Sequence, residues 1–248
     1  MLWKKTLIIL FDIALAIYLV LAITAFNKPD ERHAVCTDVV IKSYSDASGG
    51  FLSQSDIVKL LERNRISMKG QPMKLINTRL IEETLEKSIF VEKAECYKSQ
   101  DGHLCINVAQ RTPVLHVMAE SGDRYYLDIH GEVIPDNSTA IDLIVATGLI
   151  SRKYAKRVLT PLANQLLSDR FWQSQIEQIN VLFDGSIEIV PRVGEHVAYL
   201  GQPVNIEKKL ERLRKFYRYG LSQAGWNKYS YVSVEFDNQI ICKKRKTK

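Results

Sequence analysis

The residues able to do chemistry in this chain are scattered, and their spacing fits no known reaction. The five histidines, His33, His103, His116, His130 and His196, show no metal-ligand spacing. The four cysteines, Cys36, Cys96, Cys105 and Cys242, contain no Cys-x-x-Cys pair, so a zinc ribbon or a thioredoxin-type dithiol is unsupported. Carboxylates are plentiful, but spacing alone picks out no acid–base pair among them. The sequence has no nucleophile elbow, phosphate-binding loop, dinucleotide turn or His-Glu-x-x-His helix. It also lacks the Asp-x-Asp motif expected of an anchored lumenal glycosyltransferase. Asn137-Ser138-Thr139 matches a glycosylation sequon, a pattern too short to decide anything. The expectation is a protein that works through its surfaces, with no catalytic residue, metal or cofactor.

The elements that would present those surfaces begin with an apolar run over residues 6–26, TLIILFDIALAIYLVLAITAF. As a helix it spans roughly 30 Å, the thickness of a bilayer core. Lys4, Lys5 and the free amino terminus precede it, which predicts a cytoplasmic tail of residues 1–5 and everything else across the membrane. Trp3 is the candidate interfacial anchor. A cleaved signal peptide is the competing reading, but its apolar region is usually about 7–15 residues long. Asp12 inside the run costs about 2.5–3.5 kcal/mol on insertion scales. That cost suits a place near the cytoplasmic third of the membrane or a polar contact with a partner's helix.

The rest of the 248 residues has the make-up of a folded region: 46% of the chain is hydrophobic and 25% charged. The net charge of +6 is partly terminal, since Lys243, Lys244, Arg245, Lys246 and Lys248 crowd the end. Such a run reads as a solvated tail, able to attract anionic lipid or an acidic partner. Without aromatic interleaving it does not indicate nucleic acid.

Residues 34–44 are rich in β-branched side chains and predict a strand. Ser53 followed by Asp56 predicts a capped helix with Ile57, Leu60 and Leu61 on its apolar stripe. Asn77 opens a second helix, with Leu80, Ile81 and Leu85 inward and Glu82, Glu83, Glu86 and Lys87 toward water. Strands over 90–98 and 103–110 follow. This β-α-α-β-β order predicts a small α+β unit. In the last strand Leu104, Ile106 and Val108 alternate, which sends Cys105 to the opposite face. Cys96 shares its face with Ala94, so a Cys36–Cys96 disulfide is the preferred pairing.

Beyond Pro113 the chain predicts hairpins at 114–127 and 179–190, the second around Asp184-Gly185. Asp128 to Gly131 reads as a turn. Helices are expected at 154–167, with Pro161 a kink or a later start, and at 206–219. The second carries a solvated face of Glu207, Lys208, Lys209, Glu211, Arg212, Arg214 and Lys215. The last strand alternates, with Val232, Val234 and Phe236 on one side and Tyr231, Ser233 and Glu235 on the other.

The order of these elements resembles the FtsQ/DivIB family of bacterial cell-division proteins, in a Bacteroidetes-like branch. Lys69-Gly70 ahead of Leu75-Ile76-Asn77, the Phe90–Ala94 stretch and Val108-Ala109-Gln110-Arg111-Thr112-Pro113-Val114 carry the resemblance. So do the stretch from Tyr126 to Val133, Tyr199-Leu200-Gly201, and the segment from Tyr231 to Asn238. The resemblance implies an α+β fold: a transmembrane helix at 6–26, a POTRA domain at 34–112, a β-rich domain with an antiparallel sheet at 113–242, and a basic tail at 243–248. It implies a non-enzymatic divisome scaffold in the bacterial inner membrane at the division septum. The partners would be FtsB- and FtsL-like bitopic proteins, and the output control of septal peptidoglycan synthesis. The site would be an edge strand over 231–242, with Tyr231, Glu235, Phe236, Asn238, Gln239 and Ile240 as binding residues. The alternatives are a POTRA-bearing chaperone or translocation component, and a membrane-anchored extracytoplasmic enzyme.

Overall fold

The computed structural model describes residues 2–26, 35–44, 51–99, 101–136 and 141–246. The sequon at 137–139, the 45–50 turn and Lys248 lie outside the described residues. The apolar run lies in one helix, α1 (Leu2–Phe26). Among the described residues, no helix is long and apolar enough to cross a membrane.

The chain divides into two compact units, one of residues 1–44 and 52–109, the other of 45–51 and 110–248. The first holds β1 (Asp38–Tyr44), α2 (Gln54–Arg63), α3 (Thr78–Glu86), β2 (Val91–Lys98) and β3 (His103–Gln110). Ser53 and Asp56 form the capping box, each bonding the other's backbone N–H. Loss of such a cap costs about 1 kcal/mol. Asn77 caps α3 by accepting from the Leu80 N–H. The sheet order is β1-β3-β2, with β1 parallel to β3. Ile57 and Leu61 of α2 and Ile81 and Leu85 of α3 are buried in one core with Val91, Leu104, Ile106 and Val108. Each such side chain contributes about 1.5–3 kcal/mol by leaving water.

Cys36 and Cys96 both enter this core, while Cys105 is only half-buried on the other face of β3. The expected Cys36–Cys96 bridge is not formed: all four cysteines are free thiols. Burial pushes the Cys96 thiol up to about 12 and raises that of Cys36.

The second unit is a nine-stranded sheet in the order β12-β11-β10-β9-β8-β7-β4-β5-β6. Its strands are β4 (Pro113–Ala119), β5 (Arg124–Asp128), β6 (Val133–Pro135), β7 (Val145–Gly148), β8 (Ile176–Val181), β9 (Ile187–Pro191), β10 (Val197–Gly201), β11 (Tyr229–Ser233) and β12 (Ile241–Lys244). The sheet is mixed rather than antiparallel: β4 with β7, β7 with β8, and β10 with β11 run parallel. The crossover between β7 and β8 supplies the helices that cover one face, as parallel pairs require. They are α4 (Arg152–Tyr154), a π turn (Ala155–Leu159), α5 (Thr160–Ser168) and α6 (Arg170–Gln175). Pro161 stands just past the π turn, so the helix bulges where the proline withdraws its N–H. The helix α7 (Ile206–Lys215) continues through a π segment (Phe216–Leu221) into α8 (Ser222–Ala224). Leu162, Leu166, Trp172, Leu210, Leu213 and Tyr217 meet Ile179, Ile189, Ala198 and Val232 in the main core.

Two local features fix this sheet. Asp128, 2% exposed, pairs with Arg111 at 2.7 Å and accepts the N–H groups of His130 and Glu132 with its other oxygen. Gly148 has φ +99, and a Cβ there would stand 2.1 Å from the Val181 carbonyl oxygen, so no side chain fits where β7 meets β8.

Candidate partner-binding edge

An open sheet contributes only its edges to strand addition, and two sheets have four of them. Two are closed or short, and a third is partly covered. On β2 the outward N–H groups of Cys96 and Ala94 donate to Glu82 Oε1 (2.7 Å) and Glu86 Oε1 (3.2 Å). The two glutamates, expected in water, therefore cap an edge. On the β1 side, Cys36 exchanges backbone bonds with the Gly70–Gln71 loop, and Gln54 Nε2 donates to the Ile41 carbonyl at 2.9 Å. The β6 edge is three residues long and ends in Pro135, which has no N–H to offer.

The fourth edge is β12. The expected single edge strand over 231–242 is instead a hairpin, β11 and β12, so β11 is interior. Tyr231 pairs with Val197 on one side and Lys243 on the other. The break has a definite cause. Arg212 of α7 donates to the Val234 carbonyl oxygen at 2.5 Å and to Asp237 at 2.7 Å. That fork holds the chain beside α7 from the Val234 carbonyl onward, where the β11 ladder ends. Phe236 thus leaves the face it was expected to share with buried Val232 and Val234, and is 50% exposed. Lys209, also expected in solvent, is 7% exposed and donates to the Gln202 carbonyl oxygen at 2.8 Å.

The backbone parity of β12 follows from its bonds. Ser230 Oγ donates to the Lys243 carbonyl oxygen, and the Arg245 N–H donates to Lys228. Val234 donates in the other direction, to the Tyr199 carbonyl oxygen on the β10 side. Ile241 and Lys243 thus direct their backbone groups at β11, and by alternation Cys242 and Lys244 direct theirs outward. Among the described residues, no strand, loop or side chain covers that side.

The expected binding residues separate accordingly. Tyr231 sits on the outer sheet face, its ring stacked on Tyr199 with centroids 6.0 Å apart. Burial, then Glu188, pushes its hydroxyl up to about 12. Glu235 is half-buried against Gly201 rather than facing outward. Phe236, Asn238 and Gln239 are exposed in the β11–β12 loop, and Ile240 packs partly on the core. The groups that sequence reasoning missed are the outward backbone of Cys242 and Lys244. The signal was the run Ile240-Ile241-Cys242-Lys243-Lys244, which was divided between the end of one long strand and a basic tail. Among the described residues, no group of His, Cys, Asp or Glu is placed to hold a metal ion.

A two-helix, three-stranded α+β unit and a nine-stranded mixed sheet, whose β12 edge is uncovered among the described residues, define the class of fold. Residues 34–109 match the POTRA-like domain, and residues 112–243, more than half of the chain, match the family described as FtsQ/DivIB, C-terminal related. The chain belongs to the FtsQ/DivIB family. It is 26% identical over 196 residues to the cell division protein FtsQ of Salinibacter ruber, an alignment covering 71% of this chain and 73% of that protein.

Proposed function

We propose that this protein is a membrane-anchored, non-enzymatic scaffold of the bacterial divisome. It gathers FtsB- and FtsL-like bitopic partners at the septum and helps control septal peptidoglycan synthesis. Its family and its FtsQ relative support a role in cell division. The observation that carries the docking mode is the uncovered outer side of β12, a strand with donors and acceptors left over. On this reading α1 crosses the inner membrane with residues 1–5 in the cytoplasm, and both folded units are periplasmic. The large apolar side chains described from Leu10 to Leu21 are all exposed, a state that lipid suits and water does not.

The domain limits follow as 34–112 for the POTRA unit and 113–242 for the partner-binding unit. The partner's segment lies along Cys242 and Lys244, with Tyr231, Glu235, Phe236, Asn238, Gln239 and Ile240 contacted beside it. The rival chaperone reading needs an open POTRA edge, and the capping by Glu82 and Glu86 weighs against it.

Co-purification with the cell's own small single-span division proteins tests the reading. Cys242→Pro removes one outward N–H and leaves the inward bonds of Ile241 and Lys243 available. It should abolish capture and midcell accumulation of a fluorescent fusion. Undiminished capture would place the interface on another surface.

A further inference from the structure

The open edge has a charge pattern that says what adds to it. Lys243 and Lys244 are both exposed. As neighbours on one strand they project from opposite faces of the sheet. Lys243 lies on the outer face with Ile241 and Tyr231, and Lys244 on the face that Cys242 shares with buried Val232. Of the other cations at this end, Arg212 is held by Asp237, Arg245 by Glu195 and Arg214 by Asp169, Lys228 lies over the Tyr229 ring, and Lys246 is exposed beyond the strand. Among the described residues, Lys243 and Lys244 enter no ion pair.

We infer that the segment adding to β12 is an acidic strand of a partner protein, with carboxylates at consecutive positions, one against Lys243 and one against Lys244. This rests on the edge reading above and goes further by fixing the partner's chemistry. A second copy of this chain is a poor occupant. Antiparallel pairing of two β12 strands about a two-fold axis at Lys243 or Lys244 sets lysine against lysine, and one at Cys242 sets Ile241 against Lys243, so none of these registers gives the cations an anionic neighbour. The same pair repels basic and self-complementary strands, so it protects the edge until an acidic partner neutralises it. An anionic membrane is the other source of negative charge. A flat surface, however, meets one face of a strand, and these two cations leave by both.

The test uses the full chain in detergent micelles and three labelled ten-residue peptides on one alternating Thr/Val framework. Their central pair is Glu-Glu, Gln-Gln or Lys-Lys, and binding is read by fluorescence anisotropy at low and high salt. Vesicles of phosphatidylglycerol serve as the lipid arm. Two cross-strand charge pairs should make the Glu-Glu peptide bind about tenfold tighter than Gln-Gln, with the gap narrowing in salt. Lys-Lys should be the weakest. In the double variant Lys243→Glu/Lys244→Glu the order should reverse, and in Lys243→Gln/Lys244→Gln it should flatten. Both variants alter exposed side chains, and a circular-dichroism melt checks that each folds. Equal affinity for Glu-Glu and Gln-Gln would overturn the acidic-strand inference and leave the open edge standing. Failure of all three peptides would overturn both. Vesicle binding lost in the variants, with no peptide preference, would assign the lysines to lipid instead.

Discussion

Removing the guanidinium of Arg111 should be among the most damaging single changes available in the second unit. Its Nη1 donates to Asp128 Oδ2 at 2.7 Å, and the carboxylate is 2% exposed. Truncating one partner of a buried pair leaves an uncompensated charge and costs about 3–5 kcal/mol. Two features put Arg111→Ala at the lower end. The arginine is itself 21% exposed, so water enters the space it leaves. Asp128 Oδ1 also keeps the N–H groups of His130 (2.9 Å) and Glu132 (2.7 Å). A loss of about 3 kcal/mol is therefore expected. Asp128→Asn keeps an oxygen for those two N–H groups and removes the charge, so about 1.5 kcal/mol is expected. The double variant should cost less than the sum by about 1–2 kcal/mol, because the second change removes the charge that the first strands. Urea unfolding followed by tryptophan fluorescence is the assay. Trp172 is buried in the main core, and Trp226 packs against it. Slopes should stay constant while midpoints shift. A loss under about 1 kcal/mol for Arg111→Ala, or strict additivity in the cycle, would refute the pairing as a source of stability.

Other outcomes follow from single contacts. Gly148→Ala should destabilise by about 3 kcal/mol or prevent folding, since φ +99 and the Val181 carbonyl oxygen both refuse a Cβ; soluble yield and melting temperature check it. His196 is buried, with Nε2 2.8 Å from the Tyr217 hydroxyl and Nδ1 unpartnered, and burial lowers its pKa. The unfolded chain therefore takes up the proton first. The stability contributed by the neutral ring is present above about pH 6.5 and is lost as pH falls through the folded value. His196→Gln should flatten that slope in urea melts run from pH 5 to 8. Glu82→Ala/Glu86→Ala should uncap β2 and produce concentration-dependent self-association, visible in sedimentation velocity. Iodoacetamide at pH 8 should modify half-exposed Cys105 well before Cys96, whose thiol is buried and pushed up to about 12. Peptide mapping by mass spectrometry reads the order.

What was legible in the sequence was local. The capping box at Ser53 and Asp56, the Asn77 cap and the alternation of β3 are set by residues within a few positions of each other, and the structure carries all three. So is the turn at Asp184-Gly185, where Asp184 Oδ1 accepts from Ser186 and Gly185 takes φ +78. It left Phe183 92% exposed at the tip rather than in a strand. What was missed was long-range. Val145–Gly148 is too short and mixed to announce a strand, yet β7 lies between β4 and β8 through parallel pairings that only the folded sheet creates. Arg212, Glu82 and Glu86 stood on helix faces that periodicity assigns to water. Each directs its charge at backbone elsewhere in the chain, and no pattern within the helix reports that.

Those three side chains bear on the same question of which edges this protein leaves available. Glutamates on α3 close β2, and the short proline-ended β6 offers little. Arg212 works the other way. By drawing residues 234–237 toward α7 it forces a turn, and the turn returns the chain as β12 alongside β11. The alternation of Val232, Val234 and Phe236 would suit a β11 that continued past Ser233, and the contacts of Arg212 lie where that continuation stops. The open edge is therefore shaped by an interaction that spans 25 residues of sequence, and its lysines come from what reads locally as a solvated basic tail. Arg212→Ala should accordingly impair partner capture while leaving every residue of β12 unchanged. Restoration by Arg212→Lys, which cannot fork to both Val234 and Asp237, would show that charge alone suffices and that the geometry assigned to the turn is wrong.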